Sequence, residues 1–397
     1  MRVLLVTSRY PVPSWRGNQV RAVEWLSALS GCEILLVCPS PGSGVARTIP
    51  VEVRPFPMPA LGRAISLLKA SVSGMPFQEA LYDSGGARRS VADAVRRFSP
   101  EVVVIQMVRC GWAAETVFSG APGVPVIFDA IDAMGLHFDR ATDAAAAWKA
   151  PLVRSEALRC RRREQWLSRS STITVAVSAR DLEELSVPEG RGRVIPVAGR
   201  EVSIGDAGER GQVVLLSGNL GYRPTVEGAV WFAREVWPQV HAQRPNARWV
   251  LAGARPSPVI RRLSRLDGVE VHRDVPDLGA FLAQARVAVA PMSSGSGVPM
   301  KVLEAMAAGV PTVVHPWAAN GLAPDATEAV AVVSSVDSWV ENVVQLLGEG
   351  KAARDLGERG RLAWRRHYHP DVVARQIRQV VRDAAERGRS ANADTGC

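Results

Sequence analysis

Lysine is scarce in this 397-residue chain. It occurs only at Lys69, Lys149, Lys301 and Lys351, so nearly all of the 48 basic residues are arginine. Set against 39 acidic residues, they leave a formal net charge of +9. Arginine without lysine, among many alanines, reads as the imprint of a GC-rich genome. The surplus charge also attracts anions such as phosphates, nucleotides and acidic lipids. No zinc-finger spacing and no aromatic–glycine strand signature occurs, which argues against a nucleic-acid partner. The five cysteines (Cys32, Cys38, Cys110, Cys160 and Cys397) are odd in number and form no C-x-x-C. That excludes a disulfide framework or a zinc site and fits a reducing cytoplasm. No run reaches the ~20 apolar residues of a membrane span. The opening "MRVLLVTSRYPVP" is too short for a signal peptide and ends in a proline turn, so it reads as a first buried strand.

What is present is alternation. Short apolar runs rich in β-branched residues ("RVLLVTS", "CEILLVC", "VEVRPF", "EVVVIQM", "VPVIFDA", "STITVAVS") are separated by helical stretches around Val20–Leu29, Ala87–Phe98 and Leu152–Ser168. Continuous apolar runs suit strands buried on both faces, and the spacing suits repeated βαβ units. Between Pro196 and Gly211 the text turns glycine-rich and charged, which marks a boundary. A second series follows: "QVVLLSG", a helix over Pro224–Val240, "ARWVLAG", a helix over Ser257–Leu266, "VEVHRDV", a helix over Leu278–Ala285, "RVAVAPM", a helix over Met300–Ala308, "VPTVVHP" and "AVAVVSS". The expected fold class is α/β, with two doubly wound Rossmann-like domains at 1–200 and 201–370 facing a central cleft. Residues 371–397 are expected to supply a helix returning to the first domain and then, from "GRSANADTGC", a disordered tail.

The most informative segment is "VAVAPMSSGSGVPMKVLEAMAAGVPTVVHP", a complete βαβ unit. Gly295 and Gly297 permit close backbone approach to a ligand. Pro299 suits the first turn of a helix. The helix N-terminus offers N–H groups and a positive dipole end to an anion. Lys301 adds a mobile cation, and Glu304, one turn on, is placed to accept ribose hydroxyls as acidic residues do in dinucleotide folds.

"GSGVPMKVLEAMAAGVPTVV" closely resembles the donor-binding signature of retaining glycosyltransferases of GT-B architecture, family 4. "LLSGNLGYRPTVEGAVWFAREVWPQV" resembles the opening of their C-terminal domain, and "MRVLLVTSRYPVPSWRGNQVRA" the first strand and glycine loop of their N-terminal domain. A subgroup of polysaccharide-associated sugar transferases is similar, with a lysine three before the glutamate as at Lys301. The resemblance implies these roles. Glu304 matches the second glutamate of the family's pair and would bind ribose. Backbone around Ser296, Gly297, Val298, Pro299 and Met300 would meet sugar and diphosphate. Gly17 would let the first helix approach the diphosphate, and Arg223 and Lys301 would bear on the leaving phosphate. Ser296 stands where the family has its first glutamate.

The resemblance implies transfer from a nucleoside-diphosphate sugar, UDP being commonest in the family, to a hydroxyl of a glycolipid, glycan or small natural product. Positive groups would stabilise the departing diphosphate. The chain has no D-x-D, so no metal and no cofactor is expected. Asp129, Asp132 and His137 follow "VPVIFDA"; Asp132 and His137 are candidates to orient the acceptor, against the plainer reading of turn and cap chemistry. The run Arg159–Glu164 reads as a solvated helix face, or, more sharply, as a contact with acidic lipid at the inner membrane face. Trp15 and Trp112 are candidate sugar-stacking rings or core residues, and His315 a second strand-end candidate. A sugar-nucleotide epimerase of the same fold and an inactive binding relative stay open as alternatives. A dehydrogenase does not fit, since no G-x-G-x-x-G follows the first strand.

Overall fold

The computed structural model describes residues 1–14, 16–41, 49–58, 60–143, 146–202, 210–294, 298–348 and 350–394. The chain divides into two compact units: Met1–Pro196 together with Val373–Cys397, and Val197–Val372.

The first unit holds seven parallel strands: β1 (Arg2–Val6), β2 (Glu33–Pro39), β3 (Glu52–Phe56), β4 (Val102–Gln106), β5 (Val126–Ile131), β6 (Ile173–Ala176) and β7 (Gly192–Val194). Their order is β3-β2-β1-β4-β5-β6-β7. Val3 of β1 lies between Ile34 and Val102. β1 and β4 are covered on both faces, with Val3, Leu4, Val6 and all of β4 buried. Their sequences are therefore continuous apolar runs rather than alternating ones.

Two open readings are decided in this unit. Trp112 is fully buried in the first turn of the helix Gly111–Gly120, its ring 5.8 Å from Phe56 and edge-on to it, so it is a core residue. Trp15 lies outside the described residues. The run Arg159–Glu164 is no solvated face. It belongs to the helix Ala150–Ser170, whose buried residues Glu156, Cys160, Glu164 and Leu167 recur at helical spacing along one stripe. Glu164 accepts the N–H groups of Met134 and Gly135 (2.6 and 3.0 Å), capping the helix Met134–Asp143. Arg163 pairs with buried Glu79 at 2.7 Å and with Glu115 at 2.7 Å. Polar residues supply the stripe because backbone N–H groups and a guanidinium satisfy them.

The C-terminal helix runs from Pro370 to Asp394. Val373, Ile377, Val380, Val381, Ala384 and Ala385 are buried, again one face. Arg378 donates to the Ala28 carbonyl at 3.1 Å and Arg387 to that of Gly190 at 3.0 Å. The tail expected to be disordered from Gly388 onward is helical as far as Asp394. Gly388 suits this packing, since a Cβ there would lie 2.8 Å from the Pro125 ring.

The second unit holds six parallel strands: β8 (Val213–Asn219), β9 (Arg248–Ala254), β10 (Val269–Arg273), β11 (Val287–Ala290), β12 (Thr312–Val314) and β13 (Ala331–Val332). Their order is β10-β9-β8-β11-β12-β13. An aromatic cluster forms part of its core: Phe232 packs 4.8 Å from Trp249 and 5.8 Å from Trp339, and Trp237 lies 5.9 Å from Trp249. The helix expected over Pro224–Val240 consists of an α segment Arg223–Trp231, a π turn Phe232–Val236 and an α segment Trp237–Gln243. Pro238 has no N–H and its ring would meet the carbonyl four residues back; the wider π turn relieves both.

Candidate functional site

In the second unit β8 and β11 lie side by side, and the chain leaves β8 toward β9 and β10 but leaves β11 toward β12 and β13. The loops after β8 and β11 therefore part at the carboxyl end of the sheet, where open α/β sheets bind their ligands. Close backbone packing builds the floor of this point. Gly218 has φ of 109° and Gly253 has φ of 156°, and a Cβ on Gly253 would lie 1.7 Å from the Gly218 carbonyl oxygen. Only glycine fits there. The helix beginning at Arg223 presses on the end of β11: a Cβ on Gly228 would be 2.6 Å from the Pro291 oxygen.

The helix Met300–Ala307 starts beside this floor. Pro299 occupies the cap position (φ −64°, ψ 120°), no side chain caps the helix, and no acidic residue stands in its first turn. Val298, Pro299 and Met300 are half-buried. Ser296 and Gly297 lie outside the described residues, as does Gly295. Among the described residues, no acidic side chain in the first turn offsets the positive end of this helix.

Lys301 is not a mobile cation. Its Nζ lies 3.0 Å from Thr225 Oγ1 and 3.0 Å from Met292 Sδ, and its Cε would be 3.4 Å from a Cβ on Gly218. Burial pushes the ammonium pKa down to about 8, with Glu304 pulling the other way. Glu304 is 8 % exposed. Burial raises its pKa, opposed by Arg200 and Lys301. Among the described residues no hydrogen bond reaches its carboxylate. A nearly buried carboxylate in that condition is costly and retains its acceptor capacity. Arg223, the first residue of its helix, is exposed and pairs with Glu227 at 2.7 Å. An exposed i,i+4 pair is weak, so the guanidinium can exchange its partner for another anion.

In the first unit Gly17 opens the helix Gly17–Ala28, and a Cβ there would meet nothing within 4 Å. The unit itself does not require glycine at that position. Asp129 is fully buried within β5, not at its end. Its carboxylate receives Arg21 Nε (3.2 Å) and Nη2 (3.3 Å) and Trp25 Nε1 (2.7 Å). Arg21, also fully buried, donates through Nη1 to the Pro196 carbonyl at 2.9 Å. Asp132 is half-buried in the bend after β5, beyond Ile131, which has φ of 63°. His137 sits in the helix Met134–Asp143, its ring 5.6 Å from Phe138. Burial lowers its pKa, and Arg109 and Arg140 lower it further, so it is neutral at pH 7. His315 accepts the Trp317 N–H at 3.1 Å as the cap of the helix Pro316–Ala319, a structural role.

Residues 211–349 match the family described as glycosyl transferases group 1. Over these residues, about a third of the chain, the sequence is similar to that family. The match spans most of the second unit, including Arg223, Lys301 and Glu304. No curated protein matches the chain. Among solved structures, sucrose-phosphate synthase from Thermosynechococcus elongatus is 15 % identical with a TM-score of 0.68, covering 96 % of this chain and 98 % of that one. HepE of Anabaena in complex with UDP is 12 % identical, TM-score 0.66, covering 96 % and 100 %. A UDP-forming α,α-trehalose-phosphate synthase from Burkholderia vietnamiensis is 14 % identical, TM-score 0.64, covering 100 % and 99 %. At these identities the likeness concerns the fold, which is α/β of GT-B type.

Sequence reasoning did not single out Thr225, Met292, Gly218 and Arg200, which surround Lys301 and Glu304. The available signals were Gly218 at the end of the "QVVLLSG" strand and Thr225 one turn into the next helix.

Proposed function

We propose that the protein transfers a glycosyl group from a nucleoside-diphosphate sugar, with UDP as the carrier, to a hydroxyl acceptor. The observation that carries this reading is Glu304: a nearly buried carboxylate, without a hydrogen bond among the described residues, one turn inside an uncapped helix start that also bears an anchored lysine. In this reading the ribose hydroxyls donate to Glu304. The diphosphate lies against the Val298–Met300 backbone, the helix start, and the side chains of Lys301 and Arg223. The bond from the anomeric carbon to the diphosphate oxygen breaks, and the acceptor oxygen bonds to that carbon on the same face. The acceptor proton passes to the departing phosphate, so configuration is retained. The fixed positive groups counter the growing charge, and no metal is needed for that task. Asp132 and neutral His137 are the acceptor-side candidates. The HepE complexes contain UDP and, separately, UDP-glucose, which supports uridine. The acceptor is a glycolipid, a glycan or a small natural product.

The test is calorimetric titration of UDP, ADP and GDP against wild type and Glu304→Ala. Two charge-assisted hydrogen bonds are worth about 1.5–3 kcal/mol each at most, so UDP should bind at least about ten-fold more weakly to the variant. Equal affinity in the two proteins removes the ribose assignment. Incubation with UDP-sugar alone separates transfer from epimerisation, which needs no acceptor.

A further inference from the structure

The helix Ala60–Ser73 turns a hydrophobic stripe outward. Ile65, Leu68 and Val72 are exposed, Leu68 by 72 % and Val72 by 89 %. They fall at i, i+3 and i+7 on one face, while Ala70 on the other face is buried and Ser66 donates to the Asp83 carbonyl at 2.7 Å. A second exposed apolar pair, Trp148 (78 %) and Leu152 (63 %), lies at the start of the helix Ala150–Ser170. The segments that carry the two groups meet at Arg159. Arg159 donates to the carbonyls of Ala70 and Met75, at the C-terminal end of the first helix. Leu152 stands two turns before Arg159 on the same face, about 10 Å along the axis.

The two segments themselves carry charge of one sign only. Segments 60–73 and 146–155 contain Arg63, Lys69, Lys149 and Arg154 and no acidic residue. The Lys149 ammonium lies 4.6 Å from the centre of the Trp148 ring. A solvent-exposed tryptophan beside lysine, with leucine and valine projecting from a short amphipathic helix, is the composition that settles at a membrane interface. By contrast, Arg163 and Arg161 of the arginine run are held by Glu79, Glu115 and Asp139, and Arg159 by backbone carbonyls, so that run has few cations left for lipid.

We propose that this face docks the protein on the surface of a bilayer containing anionic phospholipid, with Leu68, Val72 and Trp148 entering the interface and Lys69 and Lys149 meeting lipid phosphates. The contact is peripheral: no helix among the described residues is long and apolar enough to cross a membrane. It stands independently of the transferase reading, because lipid binding and UDP binding are measured separately and involve different residues.

The experiment is co-sedimentation of the full chain with vesicles of phosphatidylcholine alone and of phosphatidylcholine mixed with phosphatidylglycerol. Wild type should sediment with the anionic vesicles, less so as salt rises, and hardly with the neutral ones. Leu68→Ser combined with Val72→Ser should weaken partitioning at least about ten-fold, and Lys69→Gln about five-fold. These side chains are exposed, so thermal midpoint and UDP affinity should match wild type and identify any variant that has misfolded. Fluorescence lost in Trp148→Phe should be the component quenched by brominated lipid. Failure of wild type to bind anionic vesicles, or equal binding by the double serine variant, overturns the proposal. Concentration-dependent self-association that the double variant abolishes, without vesicle binding, overturns it in favour of a second copy of the chain.

Discussion

Asp129 discriminates between a chemical and a structural role for the acidic residues that follow "VPVIFDA". The substitution Asp129→Asn keeps the shape and removes the charge. The carboxylate now accepts three donors, Arg21 Nε, Arg21 Nη2 and Trp25 Nε1, within 2.7–3.3 Å. An amide offers one oxygen and presents an NH2 group to the remaining donors, so at least one N–H meets another N–H. Arg21 then loses its fully buried countercharge and keeps Glu24 at 3.3 Å and the Pro196 carbonyl. Both members of the ion pair are fully buried, and loss of one partner from such a pair costs about 3–5 kcal/mol. For a unit of this size that corresponds to a fall of roughly 6–20 °C in the unfolding midpoint. Calorimetry and urea titration measure it, with turnover determined below the lowered midpoint. Arg21→Met combined with Asp129→Leu should recover part of the loss, since an apolar pair of similar volume leaves no buried charge. A Asp129→Asn protein as stable as wild type but without turnover refutes this reasoning and returns Asp129 to the chemistry.

Two further outcomes follow from the second unit. Burial lowers the Lys301 pKa to about 8, so the side chain loses its proton as pH passes upward through about 8, against an ordinary value of 10.5. Between these values the unfolded chain binds more protons than the native one, so the stability of the ligand-free protein rises with pH there. UDP affinity should fall as pH passes upward through about 8, and calorimetric titration of Lys301→Gln across the same range should show a flat profile. Gly228→Ala places a methyl 2.6 Å from the Pro291 oxygen, where overpacking costs about 1–3 kcal/mol. Thermal melting should show the second unit destabilised and titration should show weaker UDP binding, because the helix it displaces carries Arg223 and Thr225.

The α/β class was legible in the chain because strands buried on both faces are apolar in continuous runs, as in Val3–Val6 of β1 and Val102–Ile105 of β4. The start of the helix after Pro299 was legible for a related reason: first helical turns restrict residue type locally. Periodicity reports which side of an element is apolar, but not what lies across from it. Hence Glu164 and Arg163 read as solvated charges although backbone N–H groups and Glu79 hold them inside the fold. Asp129 read as a strand-end acid although Arg21, distant in sequence, neutralises it. Lys301 read as mobile, yet Thr225 in the first turn of the helix Arg223–Trp231 and Met292 in the loop after β11 anchor it. The C-terminal segment read as a loose tail because its polar residues hide a face that only packing against Pro125 and Ala28 reveals. Local sequence determined where strands, turns and helix starts occur. Tertiary structure decided which charges are buried, what neutralises them, and that Leu68 and Val72 face outward, since each depends on partners brought together only by folding.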